Sequence, residues 1–325
     1  MAASLAGAAV QAVERVGGGR NSRVFRVDTT AGRFALKQYP ARADDPRDRL
    51  GTEMAALRWM EAQAFDAVPR FVAADRACNV ALLSWVEGTP IREIGQADID
   101  QVLVFLGRLQ TARGQAETPP AHLAAEACLS GAEIERQNRH RAVGLGAIAG
   151  EPALRAFLEE EFAPCFERRL AAAKAAMASS GLDFDRTLPQ CRRGLVPSDL
   201  GFHNALRDAE GRLIFIDFEY FGWDDPVKLT ADILLHPGTP VPEALRRRLR
   251  RGAEVLYGRE DPDFVGRLET FLPLFRLRWT LILLNEFHPE RWRRRVLAGA
   301  AEDWPAAKRR QLAKARAMLA APAHS

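Results

Sequence analysis

Cysteine is scarce in this chain: four residues among 325, Cys78, Cys128, Cys165 and Cys191. They lie far apart and form no Cys-x-x-Cys pair, which excludes a zinc ribbon or a dithiol redox motif and fits a reducing, cytoplasmic setting. Long apolar runs are also lacking. The stretch at 281–284 is flanked by Thr280 and Asn285, and nothing reaches bilayer-spanning length, so no membrane insertion is expected. The first ten residues are apolar but have no basic segment before them, which argues against a signal peptide. No excess of one charge stands out either, with 46 Lys and Arg against 42 Asp and Glu. The arginine runs at 246–251 and 291–295 carry few aromatics and accompany no nucleic-acid motif. They read as surface faces of helices, and no nucleic-acid partner is expected. Internal repeats and long low-complexity linkers are absent.

What is present is enough apolar material, 47% of the chain, to pack sizeable cores. The first ninety residues read as strands plus one helix. Strands are expected at 13–16, 24–27, 33–39, 70–74 and 80–84. Asp45-Pro46 reads as a helix start, an acidic cap before a proline. Leu50, Met54, Leu57 and Glu61 follow at helical spacing. After Gly88-Thr89-Pro90 the chain turns mostly helical, with helices expected near 97–113, 151–178, 242–257, 262–287 and 303–320. Pro164 and Pro273 should end or kink theirs. The fold class is α+β, with a small strand-rich lobe over 1–88 and a larger helical lobe over 89–325.

The glycine run Gly17-Gly18-Gly19-Arg20-Asn21-Ser22 joins the first two strands. Glycines let backbone N–H groups approach phosphates, so Gly18, Gly19, Asn21 and Ser22 are candidate contacts, although a flexible hairpin has the same composition. Lys37 lies on a strand face with Ala35, opposite Phe34 and Leu36. Glu53 interrupts the apolar stripe of the first helix, where a carboxylate is costly unless paired, and Lys37 is the evident partner. At the end of the strand at 80–84, the backbone of residues 81–88 offers carbonyl and N–H groups for an adenine edge; an ordinary strand exit looks the same.

The densest signal is Ser198-Asp199-Leu200-Gly201-Phe202-His203-Asn204, followed by Ile216-Asp217-Phe218-Glu219. Asp208-Ala209-Glu210-Gly211 between them reads as a hairpin turn that brings Asp217 back towards Asn204. Asp199 is placed to orient a hydroxyl and accept its proton. Asn204 and Asp217 are oxygen donors of the kind that hold Mg²⁺ on ATP. Singly, an Asx-turn, a turn residue and a strand-end cap explain the three; together, downstream of Lys37 and Glu53, they point to phosphoryl transfer. His203 reads either as a contact to phosphate or substrate or, in preference, as a local loop contact. Trp223, Asp224 and Asp225 read either as an acceptor mouth or as a turn into a capped helix, and the glutamates at 159–161 as an attractor for a cationic acceptor or, in preference, a solvated face.

This order of motifs resembles the aminoglycoside phosphotransferase/choline kinase superfamily, small-molecule relatives of the protein kinases, over roughly residues 13–237. The resemblance implies a protein-kinase-like bilobal fold that uses ATP and Mg²⁺. It implies that Lys37 contacts the α/β-phosphates while Glu53 holds it, that the Ser84 carbonyl and Val86 N–H face adenine, and that Asp199 is the catalytic acid/base. Asn204 and Asp217 would be metal ligands, and Glu219, in the choline-kinase form of the motif, would assist a second Mg²⁺. Helices carrying Leu277, Trp279, Asn285 and Glu286 wall the acceptor pocket in that family, whereas periodicity places the apolar ones in the core. The segment after Asp217 soon reaches Asp225-Pro226 with no long activation loop and no Ala-Pro-Glu, so the expected acceptor is a small molecule with a hydroxyl group. Two positions depart from the pattern. Pro197 stands where members commonly have His, and Leu229 stands where relatives often carry Asp, with Asp232 one turn later either in its place or facing solvent. These departures motivate a second reading, a nucleotide-binding regulator without turnover.

Overall fold

The computed structural model describes residues 1–16, 22–40, 47–114, 119–297 and 303–322. They form two compact units, one of Met1–Glu126 with Gly194–Trp223, the other of Ala127–Arg193 with Asp224–Ser325.

The first unit opens with helix α1 (Ala2–Ala6) and strands β1 (Val10–Val16), β2 (Arg23–Thr29) and β3 (Gly32–Gln38). Helix α2 (Arg49–Ala62) leads to β4 (Phe71–Asp75) and β5 (Val80–Ser84). The five strands make one antiparallel sheet in the order β1-β2-β3-β5-β4. Val27, Leu36, Val80 and Leu82 form an apolar cluster on the sheet, joined by Phe25 and Phe34 and by Ala2, Leu5 and Ala6 of α1. Strand alternation therefore turns Lys37 to the opposite face.

Asp45 and Pro46, the expected helix start, lie outside the described residues. The helix begins at Arg49, where Asp48 Oδ1 accepts from the Gly51 N–H at 3.0 Å and satisfies one of the orphan donors of the first turn. Leu50 and Leu57 are buried as expected, Met54 is half-buried, and Glu61 is exposed. The buried face is completed by Arg49, Glu53, Ala56, Trp59 and Met60. A charged residue one turn before Glu53 is thus buried beside it.

Next come β6 (Thr89–Pro90), α3 (Gln96–Ala112), β7 (Gly194–Val196), β8 (Ala205–Arg207) and β9 (Leu213–Phe215). Strands β6, β8 and β9 form an antiparallel sheet in which Thr89 faces Arg207 and Ala205 faces Phe215. Its hairpin turns at Asp208–Gly211, with Gly211 at φ +81°, a conformation open to glycine. β10 (Gly222–Asp224) pairs with β7, and its last residue leads into the second unit. The compact units are therefore cut differently from a single division after Gly88. β6 pairs with β8, α3 packs on β7 and β9, and Gln101 bonds Gly211 O and Leu213 N at 3.1 and 2.7 Å. These contacts fold residues 89–126 with 194–223.

The second unit is helical: α4 (Gly131–Gly146), α5 (Pro152–Ala156), α6 (Ala163–Ser179), α7 (Pro226–Leu235), α8 (Glu243–Gly258), α9 (Phe264–Leu283), α10 (Pro289–Leu297) and α11 (Trp304–Ala320). α9 packs against α4, α6, α7, α8 and α11. Pro273 lies inside α9 without ending it, because burial on many sides holds the helix through the missing N–H. A π-helical turn at Phe157–Phe162 separates α5 from α6, and Pro164 falls in the first turn of α6, where no intrahelical N–H is required. Asp225 caps α7 by accepting from the Val227 N–H at 2.9 Å, which favours the capped-turn reading. Asp232 does not face solvent: buried, it takes Lys228 Nζ at 2.9 Å and Trp279 Nε1 at 2.8 Å. Arg295, from the second arginine run, is not a plain surface charge either, for its Nη2 lies 2.6 Å from the buried Glu286. No helix among the described residues is long and apolar enough to cross a membrane.

Candidate active site

Lys37 projects from β3 into a group of acids. Its Nζ lies 2.6 Å from Glu53 Oε2, 2.6 Å from Asp217 Oδ1 and 3.4 Å from Glu219 Oε2. The pairing read from the α2 stripe is thus present. Glu53 is fully engaged: Oε2 also accepts from Tyr39 Oη at 2.6 Å, and Oε1 accepts from the Phe218 N–H at 3.1 Å. That last bond ties helix α2 directly to the segment carrying Asp217.

The hairpin explains why Asp217 arrives there. Pairing of Ala205 with Phe215 puts Asn204 beside Ile216, whose N–H donates to Asn204 O at 2.9 Å. One residue later Asp217 leaves the ladder at φ +69°. Phe218 and Phe221 are wholly buried and pin the segment: Phe105 contacts both Phe215 and Phe218, and Trp59 contacts Phe221. With Phe218 anchored inward, Asp217 and Glu219 both reach Lys37. A left-handed residue other than glycine costs about 1–3 kcal/mol and persists where packing over-determines it.

The loop before Asn204 is held by its own bonds. Ser198 also has a left-handed backbone, φ +64°, and its hydroxyl donates to Ala125 O at 3.3 Å. The Asp199 N–H donates to Pro197 O at 2.9 Å. Asn204 Nδ2 donates to Asp199 O at 2.9 Å and lies 3.4 Å from its Oδ2. His203 Nε2 lies 3.4 Å from Asp199 Oδ1, a contact within the loop. The Asp199 side chain keeps 34% of its surface open to solvent. Pro197 therefore does not prevent the loop from bonding Asp199 to Asn204.

Electrostatics divide these groups. Burial alone would lower the Lys37 pKa, but Asp217, Glu53 and Glu219 outweigh it and hold the ammonium well above its usual range. Burial pushes Asp217 up to about 7; Lys37 opposes that rise, and Glu219 and Glu53 add to it. For Glu219, burial is more than cancelled by Lys37, Arg49 and Ser22, and its pKa is lowered. Glu53, Asp217 and Glu219 each bring a carboxylate oxygen within 4.8 Å of the others. Of these three hard oxygen donors Glu53 and Glu219 are buried and bonded, so Asp217, the one with a solvent-open side chain, is the one that could hold a divalent cation such as Mg²⁺.

Of the other expected contacts, Gly18, Gly19 and Asn21 lie outside the described residues. Ser22 is described, and its hydroxyl donates to Glu219 Oε2 at 2.9 Å. Ser84 ends β5 opposite Phe34; its N–H donates to Arg70 O and its hydroxyl accepts from the Arg70 N–H, each at 2.9 Å. Val86 is half-buried just beyond that strand. Three participants escaped the sequence reading in these roles: Tyr39, Arg49 and Ser22 as a partner of Glu219. Helical spacing was a usable signal for Arg49, one turn before Glu53.

Residues 12–266 match the model of the phosphotransferase enzyme family. Among solved structures, a choline/ethanolamine kinase family protein from Mesorhizobium loti matches with a TM-score of 0.59 at 18% identity, over 96% of this chain and 89% of that one. A spectinomycin phosphotransferase in complex with ADP and spectinomycin matches with a TM-score of 0.60 at 11% identity, over 96% and 94%. A macrolide 2′-phosphotransferase from Brachybacterium faecium matches with a TM-score of 0.56 at 17% identity, over 93% and 97%. At these identities the likeness is one of fold: an α+β, protein-kinase-like architecture with a small antiparallel sheet and a larger helical part. No curated protein sequence matches the chain significantly.

Proposed function

The chain belongs to the phosphotransferase enzyme family, and from that premise we propose that it transfers the γ-phosphoryl group of ATP to a hydroxyl group of a small molecule. The observation that carries this reading is the meeting at Lys37 Nζ of a helix glutamate and the Asp217 carboxylate, each at 2.6 Å. Lys37 would hold phosphate oxygens, with Glu53 and Tyr39 keeping its ammonium in place. Asp217 and Asn204 are the oxygen donors that would hold Mg²⁺, which when bound neutralises phosphate charge. Glu219 was expected at a second ion, yet it is held by Arg49 and Ser22. Asp199 would align the acceptor hydroxyl and take its proton late, because phosphoryl transfer depends chiefly on positioning. Ser84 and Val86 are the proposed adenine contacts. The small acceptor is supported by the direct run from the Asp217 segment into α7 at Pro226, which has no room for a long activation segment.

Relatives in fold are described as acting on choline or ethanolamine, spectinomycin and macrolides, so alcohols on amines, sugars and antibiotics are the first acceptors to try. The decisive experiment is ATP consumption across a metabolite and antibiotic library, with Asp199→Asn as the blank. An acceptor consumed by the wild type and not by the variant supports the reading. ATP binding with no turnover on any acceptor would favour the regulator reading that Pro197 and Leu229 motivate.

A further inference from the structure

Glu219 differs from Asp217 in how it is held. Only 3% of its surface is exposed, and both of its oxygens are engaged. Oε1 accepts from Arg49 Nη1, while Oε2 accepts from Ser22 at 2.9 Å and lies 3.4 Å from Lys37. Arg49 is itself 5% exposed and lies over the Tyr220 ring, 5.0 Å from its centroid. A carboxylate that already holds a guanidinium and a hydroxyl gains little from a metal ion, which would have to displace one of them. Asp217, by contrast, keeps 32% of its side chain open to solvent.

We propose that Arg49 is a positioning residue: through Glu219 it fixes Ser22, at the end of the glycine run, and so governs nucleotide affinity, leaving Asp217 and Asn204 to hold the metal. This rests on the phosphotransferase reading above. Two further observations support it. Arg49 and Glu53 are one turn apart on the buried face of α2, so both point to the same neighbour segment. Glu53 takes the Phe218 N–H and Arg49 takes Glu219, which ties α2 to residues 218–219 at two points. Secondly, without Arg49 the three carboxylates of Glu53, Asp217 and Glu219 would compete for Lys37. Arg49 keeps Glu219 from drawing Lys37 away from the other two.

The test is titration of a fluorescent ADP analogue, without turnover, at graded Mg²⁺. Arg49→Met should weaken ADP binding about tenfold, the loss of one buried charge-assisted contact. Glu219→Gln should weaken it no more than that, and the double variant should be no worse than Arg49→Met, because the two residues act as one unit. The Mg²⁺ concentration for half-maximal binding should stay within about twofold of wild type in Glu219→Gln and rise at least about tenfold in Asp217→Asn, since Asp217 would touch the metal whereas Glu219 is taken up by Arg49 and Ser22. If Arg49→Met does not fold, Arg49→Lys and the double variant carry the same affinity comparison, one keeping a cation and the other removing the stranded carboxylate. Unchanged ADP affinity in the Arg49 variants overturns the inference. So does a Mg²⁺ shift in Glu219→Gln equal to that of Asp217→Asn, which would make Glu219 a metal ligand. A wild type that binds no MgADP brings down the phosphotransferase reading and this inference together, whereas wild-type binding with unaffected Arg49 variants brings down the inference alone.

Discussion

Lys37 in the first unit and Lys228 in the second are 5% and 1% exposed, and each is bracketed by acids. The two surroundings are built differently. Lys228 Nζ lies 2.9 Å from Asp232 and 3.4 Å from Asp224, and Arg278 approaches Asp232 at 3.5 Å, so two cations meet two carboxylates. Asp232 also takes the Trp279 N–H, and Asp224 takes the backbone N–H groups of Cys128 and Asp225 at 2.8 and 2.7 Å. Lys228 and Asp232 stand one turn apart on a regular helix. Among the described residues around Lys37, two cations, Lys37 and Arg49, face three carboxylates, and one acid has a left-handed backbone. A buried ion pair is therefore no mark of function by itself. Surplus charge, held open by strained backbone, distinguishes the candidate site from a scaffold.

The sharpest way to break that contrast is to remove an acid from each network. Asp217→Ala should lower kcat about a thousandfold or more, the scale of losing an electrostatic anchor in phosphoryl transfer. Its thermal midpoint should stay close to wild type, because the deletion relieves surplus negative charge. Lys228→Met should do the reverse. It removes the buried ammonium that both Asp224 and Asp232 face, leaving them Arg278 and their N–H donors, and should cost about 3–5 kcal/mol in urea unfolding. The KM for MgATP in the folded fraction should stay unchanged. A Lys228→Met protein as stable as wild type, or an Asp217→Ala protein that still turns over, would erase the distinction.

The same contrast shows what a sequence can reveal. Lys37, Glu53, Asn204 and Asp217 were legible as a constellation because each belongs to a local pattern: strand alternation, a carboxylate on an apolar stripe, a hairpin with turn residues. The five-stranded sheet was legible for the same reason. The partners that complete the networks were not. Tyr39 reads as one more aromatic at a strand end, and Arg49 as an ordinary first-turn residue, until tertiary packing buries them. Helix α4 was missed because its buried side includes Gln137 and Asn138 and leaves Ile134 and Leu145 as a thin apolar signal. A local cue did exist: Ser130 caps the helix by accepting from the Glu133 N–H at 3.1 Å, the Ser-x-x-Glu signature of a helix start. Asp232 read equally well as a solvent-facing acid because an i,i+4 pair with Lys228 is as common on an exposed helix face, and the partner that marks its burial, Trp279, comes from another helix.

A milder change probes only the Lys37 side. Tyr39→Phe removes one of the three bonds on Glu53 and keeps the ring over Lys37, where Nζ lies 5.0 Å from the centroid. The loss of a single hydrogen bond to a charged group is worth about 1.5–3 kcal/mol at most. Lys37 and the Phe218 N–H still bond Glu53, so the effect should fall at the lower end and appear as about a tenfold rise in the KM for MgATP. An effect as large as that of Asp217→Ala would mean that Glu53 depends on Tyr39 rather than on Lys37.

The smallest effect is also the most specific to surplus charge. Asp217 is pushed up to about 7 from an ordinary 3.8, first by burial and then by Glu219 and Glu53, with Lys37 opposing. Over the pH range between those values the folded protein binds more protons at this site than the unfolded chain does, so the site's contribution to stability falls as pH rises. It is intact below the ordinary value and fully lost above about 7. Asp217→Asn cannot titrate. Its stability relative to wild type should therefore increase as pH rises through that window and then level off. Because solvent reaches a third of the Asp217 side chain, screening keeps the change modest. Added Mg²⁺ should shrink it further in the wild type by supplying the positive charge that three carboxylates lack. Urea midpoints for both proteins across pH, with and without Mg²⁺, measure the difference directly. A difference independent of pH would mean that Lys37 and Arg49 already balance the three acids, and the Lys37 network would then resemble the one around Lys228.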